Sequence, residues 1–302
     1  MSSTSPFHGL SVFPITPTDA SGRVDVESLC RLLERICEAG PASIGLLGST
    51  GNYAYLTRDE RWRAIEAAVA CVDNRLPIIV GVGALRTDEA IGLARDAEAN
   101  GADALLMAPV SYAPLTDEEA YQHYRAVAGV SGLPFCIYDN PSTTRFTFSH
   151  DLVARLSEIR TIEAIKMPAR DGQDVAAELA ALRARTDIAI GFSCDWHGRS
   201  VLMSGADAWY SVIGGIMPKL AVTLARAATS GDAEEALRID AACQPLWNTF
   251  RSFGSLRVVT ALLDLLDLGT AELPRPLLPL GPAERARVEA ALAPLSGDAS
   301  LT

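Results

Sequence analysis

The sequence predicts an α/β fold, a TIM (β/α)8 barrel with a C-terminal helical extension. Three observations predict it. Eight short apolar runs punctuate residues 10–213, each near-continuous rather than alternating. Such runs suit parallel strands covered on both faces. Helical patterns fill the intervals between them, as a repeating strand-helix unit requires. Beyond Lys219 only helical patterns remain. An open doubly wound sheet is the structural rival, but its glycine-rich first turn is missing from Phe13-Pro14-Ile15-Thr16-Pro17.

The strands are expected at Leu10–Ile15, Ser43–Leu47, Ile78–Gly81, Ala104–Ala108, Phe135–Tyr138, Ile162–Lys166, Ile188–Phe192 and Ala208–Ile213. Thr57-Arg58-Asp59-Glu60 and Thr116-Asp117-Glu118-Glu119 read as capping boxes, in which a hydroxyl and a carboxylate satisfy free amides at a helix start. Gly40, Gly101 and Gly205 fall where helices end and hand over to strands. Residues 1–218 are therefore assigned to the barrel and 219–302 to the extension. The extension carries helical patterns at Leu220–Ala228, Ala233–Phe250, Leu256–Leu266 and Pro282–Leu295. The prolines of Leu273–Pro279 mark an extended connector, and the tail Ser296–Thr302 is expected to be disordered.

The bulk properties exclude several partners. Of 302 residues, 49% are hydrophobic and 21% charged, which suits a soluble globular protein with a substantial core. A formal charge of -11 argues against nucleic acid and against anionic membrane surfaces, since both need a basic footprint. No stretch approaches the roughly 20 apolar residues of a membrane helix. The N-terminus lacks a basic flank followed by an apolar core, so it does not read as a signal peptide. Six cysteines without a C-x-x-C pair, with Cys30 and Cys37 seven apart as small residues on one helix face, read as reduced thiols in a cytoplasmic protein.

The cations carry the main chemical signal. Two lysines, Lys166 and Lys219, stand among 26 basic residues. Arginine serves nearly every role of a surface cation but cannot form an imine. Lys166 closes the apolar run Ile162-Glu163-Ala164-Ile165-Lys166, where burial disfavours the ammonium and frees the lone pair for attack on a carbonyl. The bland alternative is a lysine that snorkels from a strand end. Chemistry in a TIM barrel sits at the C-terminal strand ends, and two further features fall there. Gly48-Ser49-Thr50-Gly51-Asn52 ends the second strand, and its hydroxyls and backbone amides make a compact donor nest able to hold a carboxylate; the alternative is an ordinary turn. Tyr138 ends the fifth strand, where a phenol can pass a proton between amine, carbinolamine and water; the alternative is a core tyrosine reaching solvent.

The set Gly48-Ser49-Thr50-Gly51, Tyr138-x-x-Pro141 and Ile165-Lys166, on strands two, five and six, resembles the dihydrodipicolinate synthase/N-acetylneuraminate lyase family. The likeness runs from about Phe7 to the C-terminus and includes Pro14-x-Thr16-Pro17, Leu56-Thr57-x-x-Glu60-Arg61 and Tyr121-Gln122-His123-Tyr124. The resemblance implies a homotetramer or homodimer and class I lyase or aldolase chemistry, in which a lysine forms a Schiff base with pyruvate or another 2-oxo acid, an aldehyde is the second substrate, and no metal or organic cofactor is needed. By position Lys166 resembles the Schiff-base lysine and Tyr138 the general acid/base. Thr50, with Gly51, resembles the group holding the 2-oxo acid carboxylate. Ser49 stands beside it as donor and proton relay, and Tyr210 matches the position whose backbone carbonyl lines the pyruvate pocket.

Several departures bear on the second substrate. The loop after strand four of the synthases carries a relay tyrosine; the aligned position here is Ser111, with Tyr112 one place later. An arginine that binds the aldehyde's carboxylate is replaced by Thr143, with Arg145 two places late. The usual glutamate after the strand-two motif is Asn52, and Met167-Pro168-Ala169 follows the lysine. These favour a relative with the same imine step and another partner, such as a 2-keto-3-deoxy sugar acid aldolase or a hydratase-aldolase. A non-catalytic 2-oxo acid-binding barrel and a metal-dependent barrel lyase are the rivals. Metal binding is not expected, because His8, His123, His150 and His197 are dispersed. Asp195 and Trp196 are assigned to the pocket edge, Lys219 to the surface or a helix start, Gly214-Gly215 to a structural turn, and Trp62 and Trp247 to core or subunit contacts.

Overall fold

A computed structural model describes residues 5–298 and 301. Eight parallel strands close in sequence order: β1 Gly9–Val12, β2 Ser43–Leu46, β3 Ile78–Gly81, β4 Ala104–Met107, β5 Phe135–Tyr138, β6 Ile162–Pro168, β7 Ala189–Ser193 and β8 Ala208–Ser211. The seam between β1 and β8 pairs Gly9 with Ala208 and Val12 with Ser211. Pro14 has no amide to donate, so β1 stops short of the expected Ile15. β6 runs two residues past Lys166, which leaves that residue inside the ladder rather than on a loop.

The helices are α1 Val26–Ala39, α2 Arg58–Val72, α3 Thr87–Ala99, α4 Asp117–Ala128, α5 Pro141–Thr144, α6 His150–Ser157, α7 Val175–Arg183, α8 Gly198–Met203, α9 Pro218–Ser230, α10 Ala233–Phe253, α11 Ser255–Leu265 and α12 Pro282–Ala291. Thr116 and Glu119 form the reciprocal capping box at α4. At α2 only half of the expected box exists. Thr57 accepts from the Glu60 amide, whereas the Glu60 carboxylate accepts from Val24 N at 2.7 Å. A tertiary contact has taken the group that local sequence assigns to the cap. α9 packs back on α1 and β1, and α10–α12 lie beyond it.

Two apolar layers result. One lies between strands and helices and includes Leu29, Ile36, Ile65, Val127 and Leu224. The other fills the barrel with Phe7, Phe13, Ile79, Leu106, Tyr138 and Tyr210 among alanines 104, 164, 189 and 208. The small residues in that inner layer leave room for three aromatic rings near the mouth.

Two expectations are corrected. Cys30 of α1 and Cys71 of α2 form a disulfide with Cα atoms 5.8 Å apart, so they are not reduced thiols. Helix-face spacing links Cys30 to Cys37, but the real neighbour comes from the next helix, where the two backbones approach within bridging distance. The tail is ordered where it is described: Asp298 pairs with Arg238 at 3.1 Å and Leu301 is buried. Residues 299, 300 and 302 lie outside the described set.

Candidate active site

Lys166 sits on β6 between Tyr138 of β5 and Gly191 of β7, its direct register partners. The alternation of side chains along a strand turns it inward with Ala164. It is only 3% exposed. Its Nζ lies 3.7 Å from the centroid of the Phe13 ring, 4.3 Å from that of Tyr138 and 5.6 Å from that of Tyr210. These rings fit because two strand positions have no side chain. A Cβ on Gly45 of β2 would enter the Phe13 ring, and one on Gly191 would enter the Tyr210 ring.

Among the described residues no carboxylate forms an ion pair with the amine in this aromatic cage. Burial lowers the Lys166 pKa from 10.5 to about 8, with the nearby Cys136, Cys194 and Asp195 opposing the shift. Removal from water disfavours the ammonium, while the ring faces return part of that cost through cation-π attraction. A pKa of about 8 leaves roughly one amine in ten unprotonated at pH 7, against fewer than about one in a thousand for an ordinary lysine.

The phenol oxygen of Tyr138 and the hydroxyl of Ser49 lie 3.3 Å apart. Asn140 donates through Nδ2 to both oxygens, at 3.1 Å each. Burial drives the Tyr138 pKa well above 10, with the Ser49 hydrogen bond opposing it. The phenol is therefore a proton holder at neutral pH, and its partners bear any charge that develops on it. Thr50 is buried beside Ser49, and the turn through Gly51 is closed by Asn52 N donating to Ser49 O at 3.3 Å. Two positive-φ residues, Leu47 and Asn52, bracket this turn.

Ser49, Tyr138 and Lys166 thus stand together, Thr50 and Gly51 lie in the turn beside Ser49, and Tyr210 is buried in the inner layer with its hydroxyl 3.8 Å from Cys136 Sγ. Tyr112 and Arg145 do not join them. Tyr112 is 98% exposed, and Arg145 is exposed at the left-handed residue that ends α5. Ser111 spends its hydroxyl on Ala113 O at 2.6 Å. Lys219 is exposed in the first turn of α9, Trp247 is core, and Trp62 is 40% exposed.

Asp195 corrects a further expectation. It is buried rather than at the pocket edge, and its carboxylate accepts from Val212 N at 3.1 Å and Ile213 N at 2.9 Å, fixing the turn after β8. Burial lifts its pKa to about 6. Trp196 instead carries Arg251 over its ring at 5.2 Å. Sequence reasoning missed Asn140 and Phe13. A signal existed for Phe13, which stands two residues from inward Ser11 and so shares its face; Asn140 lies past the end of β5, at φ -140 and ψ 69, where strand alternation no longer applies.

The Dihydrodipicolinate synthetase family profile matches residues 6–295 of the chain. A 4-hydroxy-tetrahydrodipicolinate synthase of Pelobacter propionicus is 34% identical over 281 residues, 93% of this chain and 96% of that one. A crystal structure of dihydrodipicolinate synthase from Agrobacterium tumefaciens is 56% identical, with a TM-score of 0.94 over 96% of this chain and 99% of that one. The chloride-inhibited dihydrodipicolinate synthase of Acinetobacter baumannii, solved with pyruvate, is 32% identical, with a TM-score of 0.88 over 96% and 99%.

Proposed function

The chain belongs to the Dihydrodipicolinate synthetase family, and from that premise we propose that Lys166 is the nucleophile of a class I lyase or aldolase that forms a Schiff base with pyruvate or another 2-oxo acid. The observation that carries the assignment is a desolvated amine, 3% exposed, against the ring of a tyrosine whose phenol is hydrogen-bonded to Ser49. The pyruvate complex of the Acinetobacter relative supports the substrate class.

The free amine of Lys166 attacks the keto carbon, forming the C–N bond and moving the carbonyl electron pair to oxygen. Loss of the nitrogen's extra proton and protonation of the oxygen give a neutral carbinolamine. Tyr138 then gives its proton to the hydroxyl, which leaves as water while nitrogen forms the double bond; the Ser49 hydroxyl passes a proton to the phenolate and takes one from solvent, so both hydroxyls end neutral. The protonated imine draws electrons from the adjacent carbon, so an enamine forms there or a carbon-carbon bond beside it breaks. In this reading Thr50 and Gly51 hold the carboxylate with Ser49, and the Tyr210 backbone carbonyl lines the pocket. Turnover on a panel of 2-oxo acids paired with aldehydes tests it. Product formation lost in Lys166→Ala is expected; imine formation without turnover on any pair would support a non-catalytic binding barrel instead.

The exposure of Tyr112 and Arg145 favours a second substrate other than the carboxylated aldehyde of the synthases. A 2-keto-3-deoxy sugar acid aldolase or hydratase-aldolase fits that arrangement, and cleavage of such acids by the same panel decides it. A homotetramer or homodimer is proposed with this reading, supported by the large exposed side chains of Leu85 and Tyr112; light scattering tests it. A cytoplasmic location accords with the four free cysteines, 37, 136, 194 and 243. Alkylation of a rapidly quenched lysate tests the location: a largely reduced Cys30–Cys71 pair supports it, and a fully oxidised pair supports an oxidising compartment. The packing of α9 on α1 and β1 supports counting it as the eighth barrel helix, so that the extension begins after Ser230.

A further inference from the structure

We propose that Asn140 is a positioning residue for the proton relay: its side-chain amide donates one N–H to the Tyr138 phenol and the other to the Ser49 hydroxyl, and so holds the negative charge that develops when Tyr138 gives up its proton. The inference rests on the imine reading above and deepens it.

First, the amide is fixed in place. Its Nδ2 stands 3.1 Å from both hydroxyl oxygens. Its Oδ1 accepts from Ser142 Oγ at 2.8 Å, which orients the planar group with its nitrogen towards the relay. Asn140 stands at φ -140 and ψ 69, and the Pro141 ring keeps it out of the helical region. The Asn140 carbonyl is in turn held by the amides of Thr143 and Thr144, both at 3.0 Å. An amide held at side chain and backbone donates without reorganising when charge appears.

Second, the relay needs such a donor. Tyr138 is buried, and burial alone makes its phenolate costly. Ser49 supplies one hydrogen to the pair at most. Within one chain the loop after β4 supplies none: Ser111 is bonded to Ala113 O, and Tyr112 points out at 98% exposure. Asn140 provides the third polar partner from within the same strand end as the phenol.

Third, the direction of donation matters. An amide NH2 cannot accept, so both hydroxyl oxygens receive hydrogen from it. Each hydroxyl keeps its own proton free to point elsewhere, Ser49 to Tyr138 and Tyr138 to the leaving oxygen. A purely structural bridge would hold the oxygens equally well with any group of the same shape.

Rapid-quench borohydride trapping with pyruvate, across pH 5.5 to 9, tests this on the full-length protein. Asn140→Leu keeps the volume and removes both donors. Its imine formation is expected to slow on the order of 100- to 1,000-fold, the effect of losing a preorganised donor, with the pyruvate concentration for half-saturation changed less than about twofold. Asn140→Asp is the second variant, isosteric with the native residue. Its ionised carboxylate has no hydrogen to donate and repels a phenolate, so its rate is expected to be low at pH 8 and to approach the wild-type rate as pH falls and the carboxyl regains a proton. A wild-type trapping rate and pH profile in both variants overturns the inference; so does an Asn140→Asp deficit that is the same at every pH, because that is the mark of a structural role. The wild-type protein separates the two ideas: no adduct in it overturns the imine reading, whereas a normal adduct in wild type and variants alike overturns the role of Asn140 alone.

Discussion

Lys166 and Tyr138 are register partners on adjacent strands, with the lysine nitrogen 4.3 Å from the centre of the phenol ring. The pairing places an amine and a proton donor side by side, both buried. The ring faces of Phe13 and Tyr210 complete the enclosure.

The pH dependence follows from the amine. With the Lys166 pKa lowered by burial to about 8, the reactive neutral form increases up to that pH and then levels off. Imine formation at saturating pyruvate should rise about tenfold per pH unit well below 8 and flatten above it. A rate still climbing between pH 9 and 10 would mean an ordinary lysine.

Stability carries the opposite face of the same shift. Between about pH 8 and 10.5 the unfolded chain binds the Lys166 proton and the folded chain does not, so stability rises with pH across that window. Below pH 8 the full cost of the buried charge is present. Lys166→Met should therefore raise the unfolding free energy at pH 7 by roughly 1–3 kcal/mol, and the gain should shrink towards pH 10.5. Thermal denaturation at pH 7 and 10 measures both; a less stable variant at pH 7 would contradict the desolvated amine.

Tyr138→Phe removes the phenol oxygen and leaves the ring beneath the amine. Imine formation should slow by about 10²–10⁴-fold, the usual range for a positioned acid or base, while the pKa read from the pH profile stays near 8. Single-turnover trapping separates the two effects.

Gly45→Ala should injure the site from behind, since the added methyl meets the Phe13 ring. The overpacking should cost about 1–3 kcal/mol and displace the ring from its place 3.7 Å from Lys166 Nζ. A lower melting temperature together with slower trapping is expected; wild-type values for both would show that the cage tolerates movement.

The barrel was legible because its strands are covered on both faces, so each appears as an apolar run such as Ile78–Gly81 or Phe135–Tyr138. Lys166 was legible through scarcity, as a lysine retained in an arginine-rich chain at the end of such a run. What the sequence hid depends on contacts between distant segments. Glu60 reads as a cap until Val24 claims its carboxylate. Cys30 finds Cys71 across two helices rather than Cys37 on its own. Asp195 reads as a rim residue until the amides of Val212 and Ile213 draw it inward. Asn140 reads as a spacer between Tyr138 and Pro141 until its amide joins Ser49 to the phenol.

Borohydride reduction in the presence of pyruvate, followed by peptide mass mapping, tests the central assignment most directly, because Lys166 and Lys219 are the two lysines in the chain. The account predicts one reduced pyruvyl adduct per chain, located on the peptide that contains Lys166. An adduct on Lys219, or an unmodified Lys166 at saturating pyruvate, would contradict it.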